Sequence, residues 1–82
     1  MTSKEIFDVL CLKNEIVYTK KISDYCHAKV TIRQSAGDWS VKQVCETNSY
    51  YNHQHILATD KLMKYIKDNR AEIQRFVARD GT

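Results

Sequence analysis

Two histidines, His53 and His55, stand one residue apart, and three cysteines precede them as Cys11, Cys26 and Cys45. In an extended segment side chains alternate between two faces, so both imidazoles can reach one ion. Cysteine thiolate and imidazole nitrogen are ligands that zinc prefers, and two of each form a closed structural site with no position left for a substrate. The sequence therefore predicts one structural Zn²⁺, with two upstream cysteines completing the site.

The ligand spacing predicts an unusual zinc site. Fourteen residues separate Cys11 from Cys26, twenty-six separate Cys26 from His53, and one separates the histidines. In the common two-cysteine, two-histidine finger the histidines lie three to five residues apart on a helix, whereas a His-x-His pair suits a strand. The alternative is that the two histidines lie in a solvated loop. His27, next to Cys26, is expected on the opposite face and exposed.

Length and composition limit the function classes. Eighty-two residues allow one small domain, which buries only about 60% of its unfolded surface, so a metal often supplements the core. An odd number of cysteines argues against a secreted disulfide scaffold and favours reduced thiols in a soluble intracellular protein. No apolar run is long enough for a membrane span, so no membrane partner is predicted. The formal charge of +3 and pI near 8.8 permit a nucleic-acid partner without establishing one.

Alternation of apolar and polar residues predicts a small antiparallel sheet of about four strands. Phe7, Val9 and Cys11 recur at every second position, with Asp8 on the other side, which favours a strand. The alternative is a short helix that begins with a cap at Ser3. Residues 35–38 are typical of a hairpin turn. The predicted strands cover residues 5–12, 16–19, 26–33 and 39–45, and residues 20–24 are predicted to form a polar loop.

The C-terminal quarter predicts an amphipathic helix. Leu62, Ile66, Ile73 and Val77 recur at helical spacing after a cap at Thr59 or residue 60, so a helix over about residues 60–79 is expected. Its apolar stripe is expected to pack on the sheet, with a homodimer or protein-partner surface as the alternative. The prediction is a single α+β domain over residues 1–82, with the zinc-bound sheet in 1–58 and the helix in 59–80.

One face of the predicted sheet is basic. Ala28, Val30 and Ile32 alternate with Lys29 and polar or basic neighbours, so one side of this strand is buried and the other is charged. The return strand adds a lysine to the charged side, and two lysines precede the first of these strands. These cations either contact phosphates of double-stranded DNA or form an ordinary solvated surface. They are Lys20, Lys21, Lys29, Arg33 and Lys42.

Three segments of the sequence resemble a known family of zinc-binding domains. The segments Cys26-x-Ala28-Lys29-x-x-Ile32, Trp39-x-Val41-Lys42 and His53-x-His55 resemble the zinc-binding domain shared by WRKY factors, glial-cells-missing factors, FLYWCH fingers and the far-red-impaired-response and Mutator-type transposase family. In those domains two cysteines and two histidines hold a four-stranded sheet whose strands bind DNA. The resemblance covers residues 11–55, about half the chain. It implies a zinc-stabilised, nuclear DNA-binding domain of a transcription factor or transposase-derived regulator, and not an enzyme.

The sequence also departs from that family. It lacks the WRKYGQK signature, so the base preference of plant WRKY factors does not carry over, and His-Gln-His replaces the usual His-Asn-His. The resemblance implies the ligand set Cys11, Cys26, His53 and His55, with Cys45 as an alternative to Cys11. The tyrosines at 50 and 51 are expected to cover the zinc site or to stack on bases.

Two other functions remain as alternatives. A zinc-stabilised protein-interaction module would use the C-terminal helix as its contact surface. A thiol enzyme using Cys26 or Cys45 with a histidine is the weaker alternative, because no nucleophile motif or glycine-rich oxyanion loop is present. No catalytic residue is predicted.

Overall fold

The computed structural model of the chain describes residues 1–45 and 52–80. Its four strands form one antiparallel sheet in the order β1-β2-β3-β4. The predicted α+β class, with a four-stranded antiparallel sheet and a helical C-terminal segment, is confirmed. The elements are α1 (Ser3–Lys13), β1 (Glu15–Ser23), β2 (Cys26–Ser35), β3 (Asp38–Cys45), β4 (Asn52–Leu57), α2 (Thr59–Asp68) and α3 (Arg70–Asp80).

The first element is a helix, so the strand predicted over residues 5–12 is wrong. The Thr2 hydroxyl accepts a hydrogen bond from the Glu5 backbone N–H, and the Glu5 carboxylate accepts one from the Thr2 N–H, both at 3.1 Å. This reciprocal pair is a capping box, which satisfies two otherwise unpaired donors at a helix start. At the other end Asn14 adopts the left-handed conformation, with φ 64°, and its N–H donates to Leu10 O at 2.8 Å.

The alternation of Phe7 and Val9 does not reflect a strand, because the buried residues of this segment recur at helical spacing. Ile6 and Leu10, four residues apart, are fully buried on one side of α1, while Phe7 and Val9 are half-buried at its margins. Residues four apart share a helix face, so this pair fixes which side packs on the sheet.

The hairpin between β2 and β3 was predicted correctly. Ser35 pairs with Asp38 across a two-residue loop, and Ala36 and Gly37 have φ values of 50° and 87°. Positive φ at both central positions defines a type I′ turn, whose twist matches that of the flanking strands. By contrast β1 extends through most of the predicted 20–24 loop, so two lysines expected in a loop lie on a strand.

The strand register divides the sheet into two faces, because directly opposed residues point to the same side. We call the face that packs against the helices the inner face and the other the outer face. The inner face consists of the rows Ile16–Ile32–Val41–His55, Tyr18–Val30–Gln43–His53 and Lys20–Ala28–Cys45 together with Trp39, Leu57 and Cys26. The outer face consists of Glu15, Val17, Thr19, Lys21, His27, Lys29, Thr31, Arg33, Ser35, Asp38, Ser40, Lys42, Val44, Asn52, Gln54 and Ile56.

The helices all cover the inner face. Their buried apolar side chains join those of the sheet in one core cluster, which includes Trp39, and the predicted C-terminal stripe is confirmed as part of it. The outer face therefore has no helix against it among the described residues. The helical core residues are Ile6, Leu10, Leu62, Ile66, Ile73 and Val77.

The predicted single helix over residues 60–79 is broken at Asn69. The Asn69 side-chain amide and backbone N–H both donate to Tyr65 O, at 2.9 and 3.1 Å, and Asn69 O accepts from the first turn of α3. A side chain that competes for backbone carbonyls in this way ends one helix and starts another. As a result α2 packs on β3 and β4, while α3 packs along β1.

The predicted cap at Thr59 or Asp60 is also wrong. Ala58 is the N-cap of α2, and it makes no side-chain cap hydrogen bond. The Thr59 hydroxyl instead accepts a hydrogen bond from Trp39 Nε1 at 3.3 Å. Trp39 is buried, and this bond satisfies the one polar atom of its side chain.

Candidate nucleic-acid interface and predicted metal ligands

Four of the five cations predicted to contact DNA lie together on the outer face. Opposed pairs in the register, such as Thr31 with Lys42 and Lys29 with Val44, put cations of β2 and β3 on one side. All four side chains are exposed. They are Lys21, Lys29, Arg33 and Lys42.

Lys20 is the exception, because it lies on the inner face. It is opposite Ala28 in the register, is half-buried, and places its Nζ 5.9 Å from the centroid of the Tyr65 ring. This distance permits a cation–π interaction between the lysine and Tyr65 of α2. The structure therefore does not bring Lys20 to the outer face.

The outer-face cations differ in how they are paired. Lys21 Nζ lies 3.3 Å from an Asp24 carboxylate oxygen, and Arg33 Nε lies 3.1 Å from Glu15 Oε2. Within residues 1–45 and 52–80, Lys29 and Lys42 form no ion pair. They lie on neighbouring strands, two residues apart along the register, and leave two charges near the centre of the face that no described carboxylate pairs with.

A polar concavity of about 470 Å³ lies on the outer face near the β2–β3 hairpin. The Gln54 side-chain amide donates to the Ser40 hydroxyl at 3.0 Å within it. Each residue that lines it carries a hydroxyl, amide or cationic group: Thr31, Arg33, Gln34, Ser35, Ser40, Lys42 and Gln54.

The sequence interpretation missed Gln54, because it treated this residue only as the spacer between two histidines. The signal was nevertheless present. The alternation that sends His53 and His55 to one face sends Gln54 to the other.

A second concavity, of about 590 Å³, lies where α3 packs along β1. It adds Arg75 of α3 to the outward-facing Lys21 and His27, and also contains the carboxylate of Glu72. The basic surface therefore continues around the β1 edge. Arg75 was not identified from sequence, because nothing local to α3 indicates which strand it packs beside.

The two histidines share a face, as the alternation predicted. Their ring centroids lie 6.5 Å apart with planes inclined by 10°, and both residues are exposed. The face is the inner one, where His55 lies opposite Val41 and His53 opposite Gln43. The roles predicted for the tyrosines at 50 and 51 fall outside the described residues.

Two of the three cysteines are close to each other. Cys26 begins β2 and Cys45 ends β3, and because Cys45 lies opposite Ala28 both side chains are on the inner face. The thiols are within hydrogen-bonding reach, and this bond, followed by burial, raises the pKa of the Cys26 thiol. Cys11 is exposed on α1. None of the three forms a disulfide bond with another.

The four predicted zinc ligands do not surround one point. Among the described residues no group of three or more His, Cys, Asp or Glu side chains is placed to hold a metal ion. His55 lies in the row of Ile32, which is six residues along β2 from Cys26, so the two are separated by about 20 Å along the strand. As placed, Cys11, Cys26, His53 and His55 do not fit a tetrahedral zinc site, and the zinc ion stays a prediction from the sequence.

No protein-family model, curated protein or solved structure matches the chain. No helix within the described residues is long and apolar enough to cross a membrane. The resemblance to the WRKY-like zinc-binding domains therefore depends on the sequence segments that carry it.

Proposed function

We propose that the chain is a double-stranded DNA-binding domain of a nuclear transcription factor or transposase-derived regulator, and that it contacts DNA through the outer face. One observation carries the proposal. Among the described residues, the side of the sheet without helices bears four exposed cations against three carboxylates, those of Glu15, Asp38 and the Asp24 that pairs with Lys21. Most apolar residues of the same strands face the opposite way, and the exceptions on the outer face are Val17, Val44 and Ile56.

Phosphate neutralisation supplies the affinity in this proposal. Each lysine or arginine that contacts a DNA phosphate displaces condensed counterions, which favours binding at low salt. Lys29 and Lys42 can make such contacts without first breaking an ion pair. They lie on the two central strands, so a duplex lying across the sheet passes over both.

The outer face suits a duplex better than a single strand. Proteins that bind single-stranded nucleic acid without base pairing present aromatic side chains on which bases stack. Among its described members the outer face has no Phe, Tyr or Trp. Its long polar side chains instead match the phosphates and base edges that a duplex exposes.

The protein-interaction alternative has less support. It needs exposed apolar residues on the C-terminal helices, but within the described part of α2 and α3 the large apolar side chains are buried or half-buried. In the part of the chain that the structure describes, the exposed large apolar residues lie elsewhere: Met1, Leu12, Ile22, Tyr25 and Ile56.

Two double variants with the same change in charge test the proposal. Lys29→Ala with Lys42→Ala removes the unpaired outer-face cations, whereas Lys61→Ala with Lys64→Ala removes two exposed lysines of α2. Fluorescence anisotropy with a labelled mixed-sequence duplex, repeated over a salt series, gives the dissociation constant and its salt slope. The outer-face variant is expected to lower the slope by about 2, since each phosphate contact contributes about 0.9.

The α2 variant is the control, and it is expected to leave the slope unchanged. An affinity that does not depend on salt would overturn the proposal. Equal losses in the two double variants would also overturn it, because the effect would then come from net charge rather than from the outer face.

A further inference from the structure

Arg33 is held in one orientation by its neighbour. Glu15 lies directly opposite it in the register, and Glu15 Oε2 is 3.1 Å from Arg33 Nε. A guanidinium has five N–H donors in a planar fork, so a carboxylate at Nε leaves the edge with the two terminal nitrogens available. The ion pair is exposed and adds little stability, but it restricts where that free edge points.

Gln54 is held in the same way. Its Nε2 donates to Ser40 Oγ at 3.0 Å, which leaves the carbonyl oxygen and a second N–H of the amide free. Ser40 is directly opposite Arg33 in the register. The two oriented side chains therefore share one concavity, beside Lys42.

Oriented planar groups suit bases more than phosphates. A lysine ammonium is a point charge with rotatable donors, whereas arginine presents a rigid fork. In the major groove the terminal nitrogens of arginine match guanine N7 and O6, and a glutamine amide matches adenine N7 and N6. Phosphate contacts place a protein on the duplex but carry no sequence information.

We infer that Arg33 and Gln54 are the base-reading residues of the outer face, for guanine and adenine respectively, with Glu15 and Ser40 as positioning residues. This inference rests on the proposed DNA-binding function and adds the determinants of specificity to it. Lys42, which lines the same concavity, and Lys29, one outer row further along β2, then contact phosphates next to the bases that are read. The base edges would bind in the outer-face concavity that Arg33 and Gln54 line.

Selection from a randomised duplex library tests this division of roles. The wild-type chain is expected to enrich a motif with a guanine and an adenine. Arg33→Lys keeps the charge and the salt slope but is expected to reduce the preference for guanine by about fivefold to tenfold, because a point charge replaces the rigid fork. Gln54→Ala is expected to relax the adenine position alone, and Glu15→Gln to weaken the guanine preference in part. Lys42→Ala is the matched control, and it should weaken all sequences alike.

The possible outcomes distinguish a failure of base reading from a failure of DNA binding. Salt-dependent binding with no enriched motif would overturn base reading by these residues and leave DNA binding intact. A motif that is unchanged in both Arg33→Lys and Gln54→Ala would also overturn it. No binding to any library member would overturn both. Circular dichroism of each variant establishes that the fold is retained, as expected for exposed positions.

Discussion

The phenolic oxygens of Tyr18 and Tyr65 lie 2.6 Å apart, and their hydrogen bond joins β1 to α2 inside the core. Tyr18 is almost fully buried, with 1% of its surface exposed. The side-chain amide of Gln43 on β3 donates to the Tyr65 oxygen at 3.3 Å. Three elements thus meet at one small polar network, and each hydroxyl has a partner although it is removed from water.

Removing the Tyr18 hydroxyl should destabilise the fold. Tyr18→Phe keeps the ring but leaves Tyr65 with one partner fewer, so we expect the free energy of unfolding to fall by about 1–2 kcal/mol. Urea unfolding followed by circular dichroism measures this change. Tyr25→Phe is the matched control, because Tyr25 is 91% exposed and should show no loss. Equal stability of the two variants would contradict the network's role.

Alkaline pH should remove the same contribution. Burial, followed by the bond to Tyr65, raises the pKa of Tyr18 well above its usual value of 10.0. Because the folded pKa exceeds the unfolded one, the neutral tyrosine stabilises the fold fully below about pH 10, and that stability is lost as pH rises further. The difference in unfolding free energy between wild type and Tyr18→Phe should therefore narrow above pH 10. A difference that stays constant over that range would show that Tyr18 ionises equally easily in both states.

The sheet was predictable because burial of one face imposes a strict period of two. Ala28, Val30 and Ile32 identified β2 and its faces correctly, and the Ala36–Gly37 turn fixed the register of the return strand. The same criterion failed for α1, because this short segment has apolar residues at both spacings. Phe7 and Val9 are two apart, as in a strand, whereas Ile6 and Leu10 are four apart, as on one face of a helix. The capping box at Thr2 decides the matter locally, and it was the signal to use.

The candidate site was less predictable, since it depends on where strands end and which neighbours they have. Lys20 and Lys21 are adjacent in sequence, yet β1 extends through both and sends them to opposite faces. Arg75 joins the basic surface only through the packing of α3 along β1. Distances along strands also separate Cys26 from His55, which spacing in the sequence does not reveal.

The zinc prediction can be tested together with the identity of its cysteines. Cys45 contacts Cys26, and its neighbour Val44 pairs with Asn52, next to His53, whereas Cys11 is exposed on α1. If purified protein carries zinc, we expect Cys45→Ser and Cys26→Ser to lose it and Cys11→Ser to retain it, as measured by elemental analysis. Loss in Cys11→Ser with retention in Cys45→Ser would favour the first-predicted ligand set. Protein without zinc that remains folded in excess chelator would refute the structural metal.

The β2–β3 turn offers a stabilising substitution. Ala36 holds φ at 50°, a conformation that L residues other than Asn, Asp and Gly adopt at a cost. Asn-Gly is the preferred pair for a type I′ turn, so Ala36→Asn should raise the free energy of unfolding by about 0.5–1 kcal/mol. Gly37→Ala is the opposing variant. A Cβ there meets no atom within 4 Å, so only the φ of 87° opposes it, and a loss of about 1 kcal/mol is expected. Urea unfolding measures both changes, and a gain for Gly37→Ala would show that the turn is not type I′.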